Sequence, residues 1–207
     1  MLEQQLLKFI KEEMTQDLAH DINHVLRVVE LAKKLAIEEG ANLAVILPAA
    51  YLHDCFSFEK NHPQRSQSSL FAADKAIHFL QTINYPDQYL ADIHHAILTH
   101  SYSANIKTET LEAQVVQDAD RLDALGAIGI ARCIQVSCKF NTRLYSTEDP
   151  FCEHRELDDK HFTVDHFYNK LFKLELKMNT QSGKEEAQKR TEYMKGYLAQ
   201  LANEISS

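Results

Sequence analysis

The sequence predicts an all-α protein. Only 5 glycines and 4 prolines occur among its 207 residues, so few positions interrupt a helix. No run of short segments alternates polar and apolar residues in the way that half-exposed strands do. Apolar residues instead recur every three or four positions through most of the chain, which is the spacing of amphipathic helices. A composition of 44% hydrophobic and 25% charged residues is ordinary for a globular protein.

Two helices are predicted at the start of the chain. The first covers residues 2–18, where apolar side chains stand at helical spacing with charges between them. The second begins at Asp21, which suits an N-cap, and ends at Gly40, which suits a helix stop. His24 lies on the apolar stripe of this second helix. Taken alone, a histidine in that place is most simply a hydrogen-bonded core residue.

A third helix is predicted over residues 43–56, and it is almost entirely apolar until His53 and Asp54 near its end. Burial of an ionised carboxylate is unfavourable unless it is paired, hydrogen-bonded or bound to a metal. The other His-Asp step in the chain, at His20, lies at a polar helix entrance and lacks this context. Successive helical side chains point about 100° apart, so we expect Cys55 to pack in the core rather than act with Asp54.

The middle of the chain predicts a loop and two more helices. Residues 56–69 are polar and irregular, and they lead into a helix over residues 67–82. Another helix opens at Tyr85-Pro86-Asp87. His95 falls between two apolar faces of this helix, so the direction of the His95 side chain stays open. The helix carries three histidines, His94, His95 and His100.

A long helix is predicted over residues 109–138. Gly126 and Gly129 would each destabilise its interior by about 1 kcal/mol relative to alanine, and a close helix crossing would explain both. On this interpretation Asp120 lies on a face of small residues that another helix approaches closely. A solvated surface charge is the simpler alternative for any one of the acidic residues here. The stretch contains three of them, Asp118, Asp120 and Asp123.

The last third of the chain predicts a long loop followed by two helices. Residues 141–162 are polar and acidic and show no clear period. Loops of this length often act as lids or mobile segments. Helical spacing returns over residues 163–178 and 184–205, and Gly183 is expected in the turn between these two helices.

We expect one domain over residues 1–207. The length suits a single sizeable core, and the sequence has no internal repeat and no linker long enough to demand two independent domains. The helical core is expected over about residues 20–140. The C-terminal helices, about residues 163–205, are expected to pack on that core.

Charge and cysteine content limit the classes of protein to which the chain can belong. A formal net charge of −8 argues against a protein that mainly binds nucleic-acid phosphates, so no duplex nucleic acid is expected as a partner. The four cysteines contain no Cys-x-x-Cys pair and indicate reduced thiols. No stretch approaches about 18 continuous apolar residues, and no secretion signal begins the chain. We therefore expect a cytoplasmic protein without membrane association, and a homodimer stays open.

Four polar residues on three apolar-faced helices form a candidate metal centre: His24, His53, Asp54 and Asp120. Two imidazoles and two carboxylates suit a nitrogen- and oxygen-ligated divalent ion such as Mn²⁺, Fe²⁺, Ni²⁺ or Zn²⁺. Four protein ligands on a six-coordinate ion leave positions for water and substrate. Because such an ion can acidify a water and polarise a phosphoryl oxygen, the set favours a hydrolytic site.

Several motifs occur in a fixed order along the chain. They are His24-x-x-Arg27-Val28, His53-Asp54, Asp118-Ala119-Asp120-Arg121-Leu122-Asp123-Ala124-Leu125-Gly126, and the tail Lys177-Met178-Asn179-Thr180-Gln181-Ser182-Gly183-Lys184 with Ala187-Gln188-Lys189-Arg190. In this order they resemble the HD-domain metal-dependent phosphohydrolase superfamily, and within it the small bacterial YedJ/YpgQ-like branch. The resemblance covers almost the whole chain. A His-Asp step alone is weak, but the ordered set with this tail is specific.

The resemblance implies an all-α HD-domain bundle around one divalent ion, with manganese favoured and magnesium, nickel, iron or zinc as alternatives. The family's ligand positions fall on the four residues of the candidate centre. Asp118 competes for the last position, but the family's Ala-Asp-x-Leu step falls on Ala119-Asp120-Arg121-Leu122. The branch implies hydrolysis of a phosphoanhydride bond in nucleoside triphosphates. The alternatives are a nucleotide-sensing protein with little turnover, or a phosphodiesterase or phosphomonoesterase with a second metal.

The sequence departs from some relatives at the position of a general base. Certain HD nucleotidases carry a glutamate three residues after the His-Asp step, where this chain has Ser57. Glu59 and Asp123 are the candidate bases instead. Asp54 is a third catalytic candidate, because it can orient the attacking water while it binds the metal.

Contacts to the substrate phosphates require positive charge or hydrogen-bond donors. A surface salt bridge is the alternative role for each basic residue. Family members with two metals use two further histidines, and His95 and His100 could supply them, although only five positions separate the two here. The candidate substrate contacts are Arg27, Lys60, Arg65 and His100.

Overall fold

The computed structural model describes residues 1–14, 21–59, 62–101 and 104–205. Within these ranges the chain is helical and contains no strand, with one isolated bridge between Arg143 and Phe162. The prediction of an all-α protein is confirmed. The helices are α1 (Leu2–Glu13), α2 (Ile22–Glu39), α3 (Leu43–Leu52), α4 (Ser68–Thr82), α5 (Leu90–His100), α6 (Leu111–Leu122), α7 (Gly126–Lys139), α8 (Thr163–His166), α9 (Phe172–Glu175) and α10 (Gln181–Ile205).

The chain forms two compact units, Met1–Asp120 and Arg121–Ser207. The expectation of one domain with the C-terminal helices packed on its core stays a prediction. Among the described residues, no helix combines the length and the apolar composition that crossing a bilayer would require.

Helix α3 lies at the centre of the first unit, where it packs against α1, α2, α4 and α5. Its side chains Val45, Ile46 and Leu52 are no more than 1% exposed, as the apolar run predicts. The helix ends at Leu52, and His53 and Asp54 follow in a turn. The buried helix α3 therefore positions His53 and Asp54 in the interior of the first unit.

The predicted ends of α2 are confirmed. The Asp21 carboxylate accepts the backbone N–H of His24 at 2.8 Å, which satisfies one of the free donors at the helix start. Gly40 ends the helix in the left-handed region at φ 69°, where glycine is favoured. The cap at Asp21 places His24 in the first turn of α2.

The predicted boundaries of the neighbouring helices need smaller corrections. Helix α1 ends at Glu13, and the rest of the helix predicted over residues 2–18 lies mostly outside the described residues. Helix α4 agrees with the predicted range of 67–82. Asp87 opens a single 3₁₀ turn before α5 begins at Leu90.

The single long helix predicted over residues 109–138 is wrong, because the chain turns between α6 and α7. Gly126 stands at φ 72°, a conformation that breaks a right-handed helix and favours glycine. At Gly129, an added Cβ would lie 2.3 Å from the carbonyl oxygen of Ala124. The two glycines therefore shape the start of α7 rather than the interior of one long helix.

Two arginines satisfy the carbonyl groups at the end of α6. Arg190 of α10 donates to the Leu122 carbonyl at 2.8 Å. Arg132 of α7 donates to the Asp123 carbonyl at 3.0 Å and to its carboxylate at 2.7 Å. The last carbonyls of a helix have no partner within the helix and carry partial negative charge, so these guanidinium groups stabilise the turn that follows.

The second unit contains the long loop predicted over residues 141–162, and it is irregular as expected. The fully buried carboxylate of Asp165 accepts two hydrogen bonds from Arg155, at 2.6 and 2.8 Å. It also accepts the backbone N–H of Asp158 at 2.6 Å. One carboxylate thus holds both the side chain and the backbone of the loop.

The position predicted for Gly183 is wrong, since this residue is the third of α10 rather than part of a turn. The Thr180 hydroxyl accepts the backbone N–H of Gly183 at 3.0 Å. A hydroxyl in that role is a helix N-cap, and it moves the start of the helix three positions before the predicted start at Lys184.

Candidate metal centre

The side chains of His24, His53, Asp54 and Asp120 come together in the first unit. The Nε2 atoms of the two histidines lie 3.4 Å apart. One oxygen of Asp54, Oδ2, lies 3.6 Å from Nε2 of His24 and 3.4 Å from Nε2 of His53. Oδ1 of Asp120 lies 3.4 and 4.0 Å from the same two nitrogens. One oxygen of each carboxylate therefore lies within 4.0 Å of both imidazole nitrogens.

These separations fit a shared divalent ion. Protein ligands bind such ions at about 2.0–2.2 Å, so two ligands of one ion lie no more than about 4.4 Å apart. The two Nε2 atoms lie 3.4 Å apart, and their distances to the carboxylate oxygens range from 3.4 to 4.0 Å. A mixed nitrogen and oxygen set suits Mn²⁺, Fe²⁺, Ni²⁺ or Zn²⁺. The residues present therefore fit a metal centre.

The backbone fixes the orientation of His53. Its Nδ1 lies 2.9 Å from the carbonyl oxygen of Ala50. Because a carbonyl oxygen can only accept, Nδ1 carries a proton, and in the neutral imidazole the Nε2 lone pair faces the cluster. A partner of this kind on the far nitrogen is typical of a metal-binding histidine.

The electrostatics of the cluster favour a positive charge at its centre. His53 is fully buried, and burial disfavours its charged form, yet the adjacent carboxylates of Asp54 and Asp120 raise its pKa to about 9. Burial also acts to raise the pKa of Asp120, but the facing histidines hold it well below its usual range. Both displacements have one cause, because two carboxylates and two imidazoles share a site that is largely shielded from water.

His100 joins the centre on the other side of Asp54. Its Nε2 lies 3.7 Å from Oδ1 of Asp54, whereas His24 and His53 face Oδ2. Its Nδ1 donates to the Ile97 carbonyl at 2.6 Å. The potential ligand atoms that lie within 4.8 Å of one another form two groups that share His53: His24, His53 and Asp120 make the first, and His53, Asp54 and His100 make the second.

His95 stands apart from both groups. Its Nε2 accepts the backbone N–H of Glu109 at 2.9 Å. Within the described ranges it belongs to neither cluster of potential metal ligands. Of the two histidines predicted for a second ion, the structure brings only His100 beside Asp54.

The structure separates the two candidate bases by their surroundings. Glu59 is exposed in the irregular stretch after α3. Asp123 is 1% exposed, lies in the second unit and is paired with Arg132 at 2.7 Å. Asp118, the competitor for the last ligand position, is fully buried and belongs to neither ligand group, whereas Asp120 does.

The candidate phosphate contacts have different surroundings. Arg65 donates a hydrogen bond to the carbonyl of Phe58. Arg27 lies on α2 near Asp21. Burial acts to raise the pKa of Asp21, but the hydrogen bond from the His24 backbone lowers it, and the charge of Arg27 adds a smaller contribution in the same direction. Lys60 lies outside the described residues. His100 is the candidate whose position beside Asp54 is defined by a measured distance.

The residues that follow Asp54 contribute a buried thiol and a group of aromatic rings. Cys55 is fully buried and its thiol donates to the Ala72 carbonyl at 3.3 Å, so it packs in the core as expected. The segment that its sequence predicts to be a polar loop also carries aromatic rings in contact with one another and with α4. Phe58 of this segment, for example, contacts Phe71 of α4. The signal available in the sequence was the unusual density of aromatic residues directly after the His-Asp step.

Known proteins resemble this chain in sequence and in fold. The HD domain family matches residues 21–125. YpgQ of Bacillus subtilis is 28% identical over 98% of this chain and 93% of its own length. A crystal structure of YpgQ in complex with ADP has a TM-score of 0.77 and 30% identity, and it covers 98% of this chain and 97% of that one.

Two other solved structures extend the comparison. An HD-superfamily hydrolase from Bacillus thuringiensis has a TM-score of 0.77 and 30% identity over 100% of this chain and 97% of that chain. A protein from Lactobacillus plantarum has a TM-score of 0.74 and 34% identity over 99% and 96%. Because the HD domain family matches residues 21–125 and these relatives match almost the whole chain, the chain belongs to the HD domain family.

Proposed function

We propose that this protein is a divalent-metal-dependent phosphohydrolase that cleaves a phosphoanhydride bond of nucleoside triphosphates. The observation that carries the proposal is that Asp54 and Asp120 each place a carboxylate oxygen within 4.0 Å of the Nε2 atoms of both His24 and His53, which are themselves 3.4 Å apart. Two relatives support it, since YpgQ binds ADP in a crystal and the Bacillus thuringiensis protein is an HD-superfamily hydrolase. Manganese is the favoured ion, and magnesium, nickel, iron or zinc are the alternatives.

The bound ion would supply the acidification of a water and the polarisation of a phosphoryl oxygen. The chain supplies the ligands, and the hydrogen bond from His53 to Ala50 keeps one of them oriented. Asp54 presents its second oxygen towards His100, so we assign Asp54 the orientation of the attacking water. His100 is placed to hydrogen-bond a phosphoryl oxygen beside that carboxylate.

A nucleotide panel tests the proposal. Di-, tri- and cyclic nucleotides are incubated with the protein and Mn²⁺, and released pyrophosphate and phosphate are both measured. We expect turnover of triphosphates by the wild type and its loss in His53→Ala and Asp120→Ala. His78→Ala, an exposed histidine on α4, is the matched control and should retain turnover. Absence of turnover across the panel, together with saturable metal-linked nucleotide binding, would instead assign a sensing protein.

A second candidate is a phosphodiesterase or phosphomonoesterase that uses two ions. The group of His53, Asp54 and His100 favours it, because Asp54 directs a different oxygen to each side. The metal content of the purified protein separates the two candidates. Two ions per chain in the wild type and one in His100→Ala would support the two-ion enzyme, whereas one ion in both supports the pyrophosphohydrolase.

A further inference from the structure

Four rings form a continuous cluster directly after the metal centre in the chain. Phe58 and His62 stack face to face, with ring centroids 4.3 Å apart and planes 5° apart. Phe71 of α4 meets Phe58 edge to face at 5.3 Å. Phe56 contacts both phenylalanines, at 4.9 and 5.5 Å. We call these residues, Phe56, Phe58, His62 and Phe71, the aromatic cluster.

The aromatic cluster is not part of the closed core. Phe71 is 41% exposed, and the other three rings are half-buried. In contrast, the core residue Phe167 of the second unit is 1% exposed. Isolated exposed apolar side chains are ordinary, but contiguous ones in contact with each other often mark a binding surface.

The backbone around these rings is held in place before any ligand arrives. The backbone N–H of Phe58 donates to the Ser68 hydroxyl at 3.1 Å, which ties the segment to the start of α4. Arg65 donates to the Phe58 carbonyl. Because these contacts hold the backbone of Phe58 in advance, less of its conformational freedom would be lost when a planar ligand binds.

The distance along the chain places the aromatic cluster near the metal centre. Phe56 follows Asp54 by two positions and Phe58 by four. Even a fully extended chain separates the Cα atoms of these pairs by at most about 7 and 14 Å. One short segment therefore carries a candidate metal ligand at its start and stacking surfaces at its end, which suits a ligand with a charged group and a planar group.

We propose that the aromatic cluster binds the nucleobase of the substrate by stacking while its phosphates lie at the metal centre. This inference rests on the proposed function and names the part of the substrate that the rings recognise. The imidazole of His62 covers one face of Phe58, so a nucleobase would take the place of His62 on that face or stack on Phe71, the most exposed of the four rings. Every nucleobase has a π-face, so stacking alone discriminates weakly among bases. Affinity should depend strongly on having a base and weakly on which base is present.

Two variants and one control test this role in the full-length protein with Mn²⁺. Phe58→Leu keeps an apolar side chain of similar reach but removes the π-face, and Phe71→Ala removes the most exposed ring. Leu70→Ala, 39% exposed beside Phe71 and outside the aromatic cluster, is the matched control. Steady-state kinetics are measured with ATP, GTP and inorganic tripolyphosphate, and equilibrium binding is measured with ADP and inorganic pyrophosphate.

Loss of base stacking should raise the KM for ATP and GTP and weaken ADP binding by about 5- to 100-fold. The constants for tripolyphosphate and pyrophosphate should change less than about twofold, and the control should match the wild type. Equal losses for ATP and tripolyphosphate would overturn the proposal, because they would show that the rings only support the loop. Unchanged ADP binding in both variants would overturn it as well.

The two proposals fail in different ways. A wild type that hydrolyses tripolyphosphate as well as ATP would remove the base-binding role and leave the phosphohydrolase intact. A wild type that hydrolyses neither compound would remove the proposed function, and the comparison of ADP with pyrophosphate binding would still decide the role of the rings.

Discussion

The Nε2 atoms of His24 and His53 face each other at 3.4 Å, although the two residues are 29 positions apart in the sequence. Two imidazole lone pairs at this separation repel unless a proton or a cation lies between them. The Nδ1 proton of His53 is already committed to Ala50. A divalent ion bound between the two nitrogens would remove this repulsion, and the adjacent carboxylates would balance its positive charge.

The first prediction concerns Asp54. Replacement by asparagine removes one negative charge from a largely buried cation site, and we expect at least a 100-fold loss of Mn²⁺ affinity, beyond the 10- to 100-fold typical of residues outside the ligand set. Isothermal titration and elemental analysis measure this loss. Asp92→Asn, on the exposed side of α5, is the matched control and should bind Mn²⁺ normally. Unchanged metal content in Asp54→Asn contradicts the ligand assignment.

The second prediction concerns metal removal. An ion that binds only the folded state stabilises it by about 2.7 kcal/mol when present at 100 times its Kd. Treatment with a chelator should therefore lower the Tm of the wild type, and added Mn²⁺ should restore it. In Asp120→Ala both effects should be nearly absent. A wild-type Tm that is insensitive to chelation would argue against a metal centre at these residues.

The third prediction concerns two of the helical glycines, Gly129 in α7 and Gly196 in α10. Gly129→Ala places a Cβ against the Ala124 carbonyl oxygen, and such overpacking lowers the free energy of unfolding by about 1–3 kcal/mol. Gly196 lies in α10 with nothing within 4 Å of an added Cβ, so Gly196→Ala should raise stability by about 0.5–1 kcal/mol. Urea denaturation followed by circular dichroism measures both. Effects of the same sign would contradict the steric explanation.

The fourth prediction concerns Arg190. Its replacement by methionine keeps much of the side-chain packing but leaves the Leu122 carbonyl without this donor, and we expect a loss of about 1–3 kcal/mol in the free energy of unfolding. Lys189→Met, an exposed neighbour on the same helix, should be nearly neutral. Thermal unfolding of both variants decides whether the loss comes from the hydrogen bond or from the change of charge.

The fifth prediction concerns pH and Asp165. Burial acts to raise the pKa of this carboxyl, but the hydrogen bonds from Arg155 and from the Asp158 backbone lower it below its usual value. A carboxyl with a lowered folded-state pKa stabilises the protein fully above its unfolded pKa of about 3.9, and this contribution is lost as the pH falls through the folded value.

Asp165→Asn should therefore reduce the free energy of unfolding at pH 7 by about 3–5 kcal/mol, because it breaks a buried pair. The difference from the wild type should shrink as the pH falls below about 4. Unfolding curves collected from pH 7 to pH 3 measure this trend. A difference that stays constant with pH would mean that the contribution is not electrostatic.

Much of the first unit was predictable because its signals are local. Asp21 and Gly40 mark the ends of α2 through cap chemistry within a few residues of each terminus. The apolar run of α3 predicts burial regardless of topology. The four proposed ligands were identified from apolar context and from a family resemblance, since neither periodicity nor spacing can show that residues on different helices converge.

The errors arose where distant residues decide the local structure. The break after Leu122 depends on Arg190, 68 positions away, and on the left-handed backbone at Gly126. Hydrophobic periodicity alone predicts that the helix continues through Gly126 and Gly129, because single glycines are tolerated inside a helix. The contact of His100 with Asp54 and the stacking of Phe58 on His62 likewise require the tertiary fold.

The buried thiol beside the metal centre has a consequence for metal choice. Burial raises the pKa of Cys55 to about 12, and the thiol points away into hydrogen-bonding distance of the Ala72 carbonyl. A soft sulfur ligand would bias the pocket towards zinc or cuprous copper. With the thiol directed away, the candidate centre keeps a ligand set of nitrogen and oxygen atoms alone, and peroxide meets no reactive thiolate at this position.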